Sequence, residues 1–227
     1  MIEKLVWDSD FFNLKIGKFN TTESQLKGAT HLELNKYDLI YIFSEQEFIN
    51  LAPEVHLVDV KVNFSKTNLH FNDGIVISEY DYTKHSYNKL LELALLSGVY
   101  SRFKKDCNFS AGSYENLYKM WIDKSIDKSI AQYVLVETYE GELAGFVTLQ
   151  FKPESKGIIG LIAVDPLFHG KKIASRLIQA CENLCVLNNI NVLEVSTQLD
   201  NKPAMRLYEY SKFTIKNQQF IYHHWNL

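Results

Sequence analysis

At 227 residues and 46% hydrophobic composition, the chain can bury a core as one large domain or two small ones. Lys and Arg total 24 against 27 Asp and Glu, a net charge of −3 that gives no basic field for a nucleic-acid backbone and excludes that class of partner. Glu3, Asp8 and Asp10 interrupt the apolar N-terminus, and no run approaches the roughly 18 apolar residues of a membrane span, so a cytoplasmic protein with no membrane partner is expected.

Up to about Tyr82 short strand-like runs dominate: LIYIF at 39–43, VHLVDVKVNF at 55–64 and GIVISEY at 74–80, with a helix expected near 23–37. From Tyr87 the pattern turns helical. Leu90, Leu91, Leu93, Ala94 and Leu95 come first, then Tyr114, Leu117, Tyr118, Trp121, Ile122 and Ile126 at 3-4 spacing. YVLVETYEGELAGFVTLQF at 133–151 reads as a hairpin turning at Glu140-Gly141. A strand follows at 157–164, then a helix after Gly170 with Ile173, Leu177, Cys181, Leu184 and Cys185 on its buried face. VLEVST at 192–197, a helix over about 201–210 and a last strand FIYHHW complete the order. This predicts a small N-terminal α/β domain over 1–84 and a mixed α/β domain over 85–227. The three cysteines form no even framework, and Cys181 and Cys185 lack histidines at zinc-finger spacing, so they read as buried thiols and no metal is expected.

The stretch HGKKIASRL at 169–177 follows a strand that breaks at Asp165-Pro166, a usual way to present bare amides to an anion. A nucleotide P-loop is excluded because Asp165 stands five before Gly170 and Lys172 follows Lys171. A dinucleotide fingerprint is excluded because there is a single glycine. A helix start with lysines in solvent is the alternative reading.

Residues 157–213 resemble the cofactor-binding half of the GNAT acetyltransferases, whose loop reads [QR]-x-x-G-x-[GA]. His169 stands in the place of Gln or Arg, and Lys172 in the place of a glycine. The resemblance implies a mixed, mostly antiparallel sheet flanked by helices. It also implies that acetyl-CoA lies along Leu161, Ile162, Ala163 and Val164, with its pyrophosphate on the turn formed by His169, Gly170, Lys171, Lys172, Ile173, Ala174 and Ser175. Amides at about Leu161 to Ala163 would act as an oxyanion hole. The stretch 196–213 fits the second signature, N-x-x-A-x-x-L-Y-x-x-x-G-F, through Asn201, Ala204, Leu207, Tyr208 and Phe213, with Ser211 in the glycine position. Asn201 and Ala204 would join the cofactor site. Tyr208 would be the general acid that protonates the departing thiolate, its alternative being an ordinary amphipathic-helix tyrosine. The strand GIIGLIAV contains no carboxylate to serve as base, which suits a weakly basic amine such as a sugar amine.

The segments LVWDSDFFNLKIGKF at 5–19, SGVYSRFKKDCNFS at 97–110, LYKMWIDKS at 117–125, STQLDN and YHHW resemble bacterial TDP-fucosamine acetyltransferases. Those enzymes acetylate the 4-amino group of a TDP-linked 4-amino-4,6-dideoxygalactose for surface polysaccharide. A small-molecule nucleotide sugar is the partner this implies. Arg102 and Lys105 would bind the diphosphate or sit in a solvated loop. Phe103, Trp7, Phe11 and Phe12 would stack on thymine or, on aromatic burial, pack the core. Thr197 and Gln198 would read a sugar hydroxyl, and His223 and His224 read as structural or solvent-exposed rather than catalytic. A protein or peptide N-acetyltransferase and a non-catalytic acyl-CoA module are the other readings. Monomer or homodimer is left open.

Overall fold

The computed structural model describes residues 1–28, 31–49 and 51–226. Its chain divides into two compact units. The first comprises Met1–Val62, Gln198–Asp200 and Asn217–Leu227, and the second Asn63–Thr197 and Asn201–Lys216. This departs from the boundary expected near residue 84 in two ways. The first unit ends at Val62, and it also claims the end of the chain. The reason is a ladder: Phe220–Trp225 pairs antiparallel with Leu39–Ser44, so the last strand completes the sheet that the first residues begin.

The first unit holds β1 (Glu3–Lys4), α1 (Val6–Phe12), β2 (Ile16–Asn20), α2 (Glu23–Lys27), α3 (His31–Leu34), β3 (Leu39–Ser44) and most of β4 (Val55–Lys66). Strands β2 and β3 are parallel. The single helix expected over 23–37 is two short ones, the first closed by a capping box on Thr22 and Gln25. Phe19, Ile40, Ile42, Phe48, Val55 and Tyr222 form this unit's core. The backbone N–H of Phe48 donates to the buried Tyr222 hydroxyl at 2.7 Å.

The second unit continues with β5 (Ser78–Glu79), α4 (Tyr87–Ser97), α5 (Arg102–Lys105), α6 (Ser113–Ile126), β6 (Tyr133–Tyr139), β7 (Glu142–Lys152), β8 (Lys156–Val164), α7 (Ile173–Leu187), β9 (Val192–Gln198), α8 (Lys202–Tyr210) and the start of β10 (Thr214–Trp225). Its strand order is β4-β9-β8-β7-β6-β5. The run at 74–80 is a two-residue strand rather than a full one, because turns and exposed residues occupy Gly74 to Ile77. The β6–β7 hairpin turns at Glu140 and Gly141 with φ of 51° and 86°, the left-handed pair that a two-residue turn requires. Ser86 caps α4 by accepting the Lys89 N–H. Leu90, Leu93 and Ala94 of α4 and Ile122 of α6 pack on Val134, Val136, Leu143, Phe146 and Ala163 of the sheet. This apolar layer gives β8 a fixed backing, and the site is built on β8.

Candidate active site

Strand β8 pairs with β7 along most of its length but with β9 only from Lys156 to Ile159. Beyond Gly160 the parallel neighbours part. The ladder parity then decides which amides face the gap. Asp165 donates its N–H to the Ala144 carbonyl at 2.8 Å, so the Gly145–Val164 pair is of the non-hydrogen-bonded kind. Phe146–Ala163 therefore exchanges both bonds, and Val147–Ile162 does not. The N–H groups of Ile162 and Val164 point away from β7, into the gap. Ala163 spends its amide on the ladder, and Leu161 donates its own to Thr148 Oγ1 at 2.8 Å. The amides expected at Leu161 to Ala163 are thus corrected to Ile162 and Val164.

After Val164 the chain makes a 3₁₀ turn over Pro166–Phe168. Asp165 caps it by accepting the Leu167 N–H at 2.8 Å. The same carboxylate is ion-paired with Lys89 Nζ of α4 at 2.6 Å in a buried position. Lys89, then the Leu167 amide, hold the Asp165 carboxyl below the ordinary aspartate range. Two left-handed residues follow, Gly170 at φ 80° and Lys172 at φ 60°. His169 folds back, its Nε2 3.2 Å from the Val164 carbonyl oxygen. Helix α7 begins at once, with the Arg176 N–H on the Lys172 carbonyl at 3.1 Å. Among the described backbone hydrogen bonds none has the N–H of Gly170, Lys172, Ile173, Ala174 or Ser175 as donor. Five free amides at the start of a fifteen-residue helix, with Lys171 and Lys172 exposed beside them, fit a pyrophosphate.

Lys172 stands in the glycine position of the resembled signature, and its left-handed conformation is one that glycine adopts freely. For an L-residue it costs about 1–2 kcal/mol. A Lys172→Gly protein is expected to melt higher than its parent and to keep its affinity for coenzyme A within about threefold. Lys172→Glu keeps the strain and reverses the charge, and calorimetry should show it at least about tenfold weaker. Equal dissociation constants for the two variants would mean that the ammonium only faces water.

The second signature is placed on α8. Asn201 is its N-cap, the side-chain oxygen accepting the Ala204 N–H at 3.2 Å, which is why the motif spaces these two residues three apart. Tyr208 is 2% exposed. Its ring lies 5.4 Å from that of Phe64 and 5.9 Å from that of Phe213. Burial, followed by the neighbouring Cys181 thiol, pushes the phenol well above its ordinary range. Cys181 and Cys185 are buried, and burial pushes the Cys185 thiol up to about 12. Among the described residues no group of three or more His, Cys, Asp or Glu is arranged to hold a metal ion.

The expected sugar-nucleotide residues fare unevenly. Phe103 is buried, with its ring 5.7 Å from Phe109 and 6.2 Å from Trp121, so it packs the core instead of offering a face to thymine. The Arg102 guanidinium covers its outer face at 4.3 Å. Lys105 is exposed on α5. Thr197 is buried on β9, and Gln198 belongs to the first unit. Trp7, read as core, is 42% exposed and stacks in parallel on Phe11 at 5.3 Å. His223 and His224 are both buried; His223 stacks on Tyr41 at 4.9 Å. Sequence reasoning missed Thr148, the Lys89–Asp165 pair, and Glu137 with Arg176, because each acts through a partner far away in the chain.

The curated spore coat polysaccharide biosynthesis protein SpsD of Bacillus subtilis (strain 168) is 28% identical over 136 residues, 60% of this chain, and the matched part is 46% of that protein's length. Similar solved structures include a functionally unknown conserved protein from Staphylococcus epidermidis (TM-score 0.62, 12% identity, 93% of this chain and 84% of that one). A putative GNAT acetyltransferase from Novosphingobium aromaticivorans has a TM-score of 0.53 at 15% identity, over 84% of this chain and 75% of that one. No helix among the described residues is long and apolar enough to cross a membrane. The model of the acetyltransferase (GNAT) family matches residues 96–213, which span the divided strand, the amide turn and Tyr208, and the chain belongs to that family.

Proposed function

We propose that the chain moves the acetyl group of acetyl-CoA to the amino group of a nucleotide-linked amino-dideoxy sugar, the 4-amino group of TDP-4-amino-4,6-dideoxygalactose, in cytoplasmic synthesis of surface polysaccharide. The observation that carries the donor half is the set of free amides on Gly170, Lys172, Ile173, Ala174 and Ser175, entered from a strand whose Ile162 and Val164 amides face away from β7 where pairing with β9 has ended. The acceptor half is supported by the likeness to the Bacillus subtilis spore coat polysaccharide biosynthesis protein.

In this reading the sugar amine attacks the thioester carbonyl while the Ile162 and Val164 amides stabilise the oxygen that gains charge. The carbon–sulfur bond breaks and the thiolate takes a proton from Tyr208. The nitrogen releases its own proton to water, since β8 holds no carboxylate, and Tyr208 regains a proton from water before the next turnover. Arg102, Lys105 and Thr197, all of the second unit, are proposed for the sugar nucleotide.

The test offers acetyl-CoA with TDP-4-amino-4,6-dideoxygalactose, its 3-amino isomer and a lysine peptide, and reads product mass. Continuous thiol release with the 4-amino sugar and a product heavier by one acetyl group is expected. Turnover of the peptide alone would overturn the acceptor assignment, and binding of coenzyme A without turnover of any acceptor would reduce the chain to an acyl-CoA-binding module.

A further inference from the structure

The peptide joining Lys171 to Lys172 has a support that the loop signature does not specify. Arg176, one turn into α7, donates from Nη1 to the Lys171 carbonyl at 2.9 Å. From Nε it donates to Glu137 Oε1 at 2.9 Å, and Nη2 reaches the same oxygen. Glu137 lies on β6, where the ladder with β7 slips between Glu137 and Thr138. Its side chain is 13% exposed. The guanidinium is thus held from two sides, by a carboxylate on the sheet and by one backbone carbonyl.

The geometry of that carbonyl matters because a trans peptide sets its C=O and the following N–H in opposite directions. With the Lys171 oxygen on Arg176, the Lys172 N–H is turned away from the guanidinium and left free. The competing arrangement is a flip of this one peptide. A flip rotates the φ of Lys172 by about half a turn, from 60° to about −120°, which with its ψ of 17° lies on the negative-φ side of the map that an L-residue adopts at less cost. It would relieve the left-handed conformation, a bias worth about tenfold in population. It would also replace a donor facing the pyrophosphate with a carbonyl oxygen that repels it. A glycine at this position feels no such bias. The lysine in the glycine position therefore creates a need that the Arg176–Glu137 pair meets.

We propose that Arg176, held by Glu137, is a positioning residue for the pyrophosphate of the acyl donor: it pins the 171–172 peptide in the orientation that presents the Lys172 N–H, against the flip that a side chain at this position favours. The proposal rests on the reading of this turn as the acetyl-CoA pyrophosphate site. It differs from direct phosphate binding by Arg176, three of whose five N–H groups are directed at Glu137 and the Lys171 carbonyl.

The test is a double-mutant cycle read by calorimetry with coenzyme A and by kinetics with two donors, acetyl-CoA and S-acetylpantetheine, which lacks the pyrophosphate. Arg176→Gln is expected to raise Kd and the acetyl-CoA KM about tenfold with kcat largely kept, and to leave kcat/KM for acetylpantetheine within about twofold. Glu137→Gln should move the same quantities in the same direction. In a Lys172→Gly background Arg176→Gln should cost no more than about threefold, because the bias toward the flip is gone. Equal losses in both backgrounds would overturn the proposal and indicate a direct contact of Arg176 with phosphate. Equal losses for both donors would overturn it in favour of a structural role. If the unmutated protein shows no preference for acetyl-CoA over acetylpantetheine, the loop assignment falls, and this proposal with it.

Discussion

Tyr208→Phe is expected to lower kcat by about 10²–10⁴ while leaving the Kd of acetyl-CoA nearly unchanged. The two effects separate because the ring and the hydroxyl have different tasks. The ring is fully buried against Phe64 and Phe213, and phenylalanine keeps that packing. What is lost is one O–H, the proton donor proposed for the departing sulfur. Burial raises the phenol above its usual value of about 10, so the donor stays protonated through neutral and mildly alkaline pH. No falling limb of the pH–rate profile between about pH 6 and 9 should then belong to Tyr208. The same shift sets a sign on stability. A group whose folded value is raised stabilises the native state below its unfolded value and loses that contribution as pH climbs toward the folded one. Tyr208→Phe should therefore resist unfolding above about pH 10 better than its parent, measured by denaturant melts across alkaline pH. A variant of normal kcat would remove Tyr208 from the chemistry.

How much of this was legible in the sequence depends on the range of the interaction. The Glu140-Gly141 turn is decided by neighbouring residues, and the text of the chain shows it. The two signatures at 169–174 and 201–213 are equally local, and the structure puts them on a turn with free amides and on a capped helix. Features decided across the fold stayed hidden. Residues 74–80 have the composition of a strand, yet only Ser78 and Glu79 pair with β6. Trp7 reads as core by type, but α1 leaves it at the surface stacked on Phe11. Leu161 lies in the expected stretch of β8, but Thr148 takes its amide, and no pattern in one strand reveals the parity of its ladder with another. The same holds for Arg176: the sequence places it on α7, and only the fold brings Glu137 of β6 to it.

Gly170→Val is expected to abolish the stabilisation that acetyl-CoA confers. Ligand at 100 times its Kd adds about 2.7 kcal/mol to the native state, a rise of about 5–10 °C in Tm for a chain of this size. The argument turns on conformation rather than space. A Cβ built on Gly170 meets nothing within 4 Å, so the unliganded fold has room for a side chain. Its φ of 80° is the obstacle, since a β-branched residue held there is a severe outlier. The valine protein would relieve the strain by rotating the peptides on either side, and the Gly170 and Lys172 amides would leave the line formed with Ile173, Ala174 and Ser175. Asparagine tolerates the left-handed region far better than valine and fills the same open space. Gly170→Asn should therefore keep most of the thermal shift where Gly170→Val loses it. If both variants lose the shift, a side chain of any conformation blocks the ligand. If both keep it, the amide turn does not hold the pyrophosphate, and the assignment of this loop is wrong.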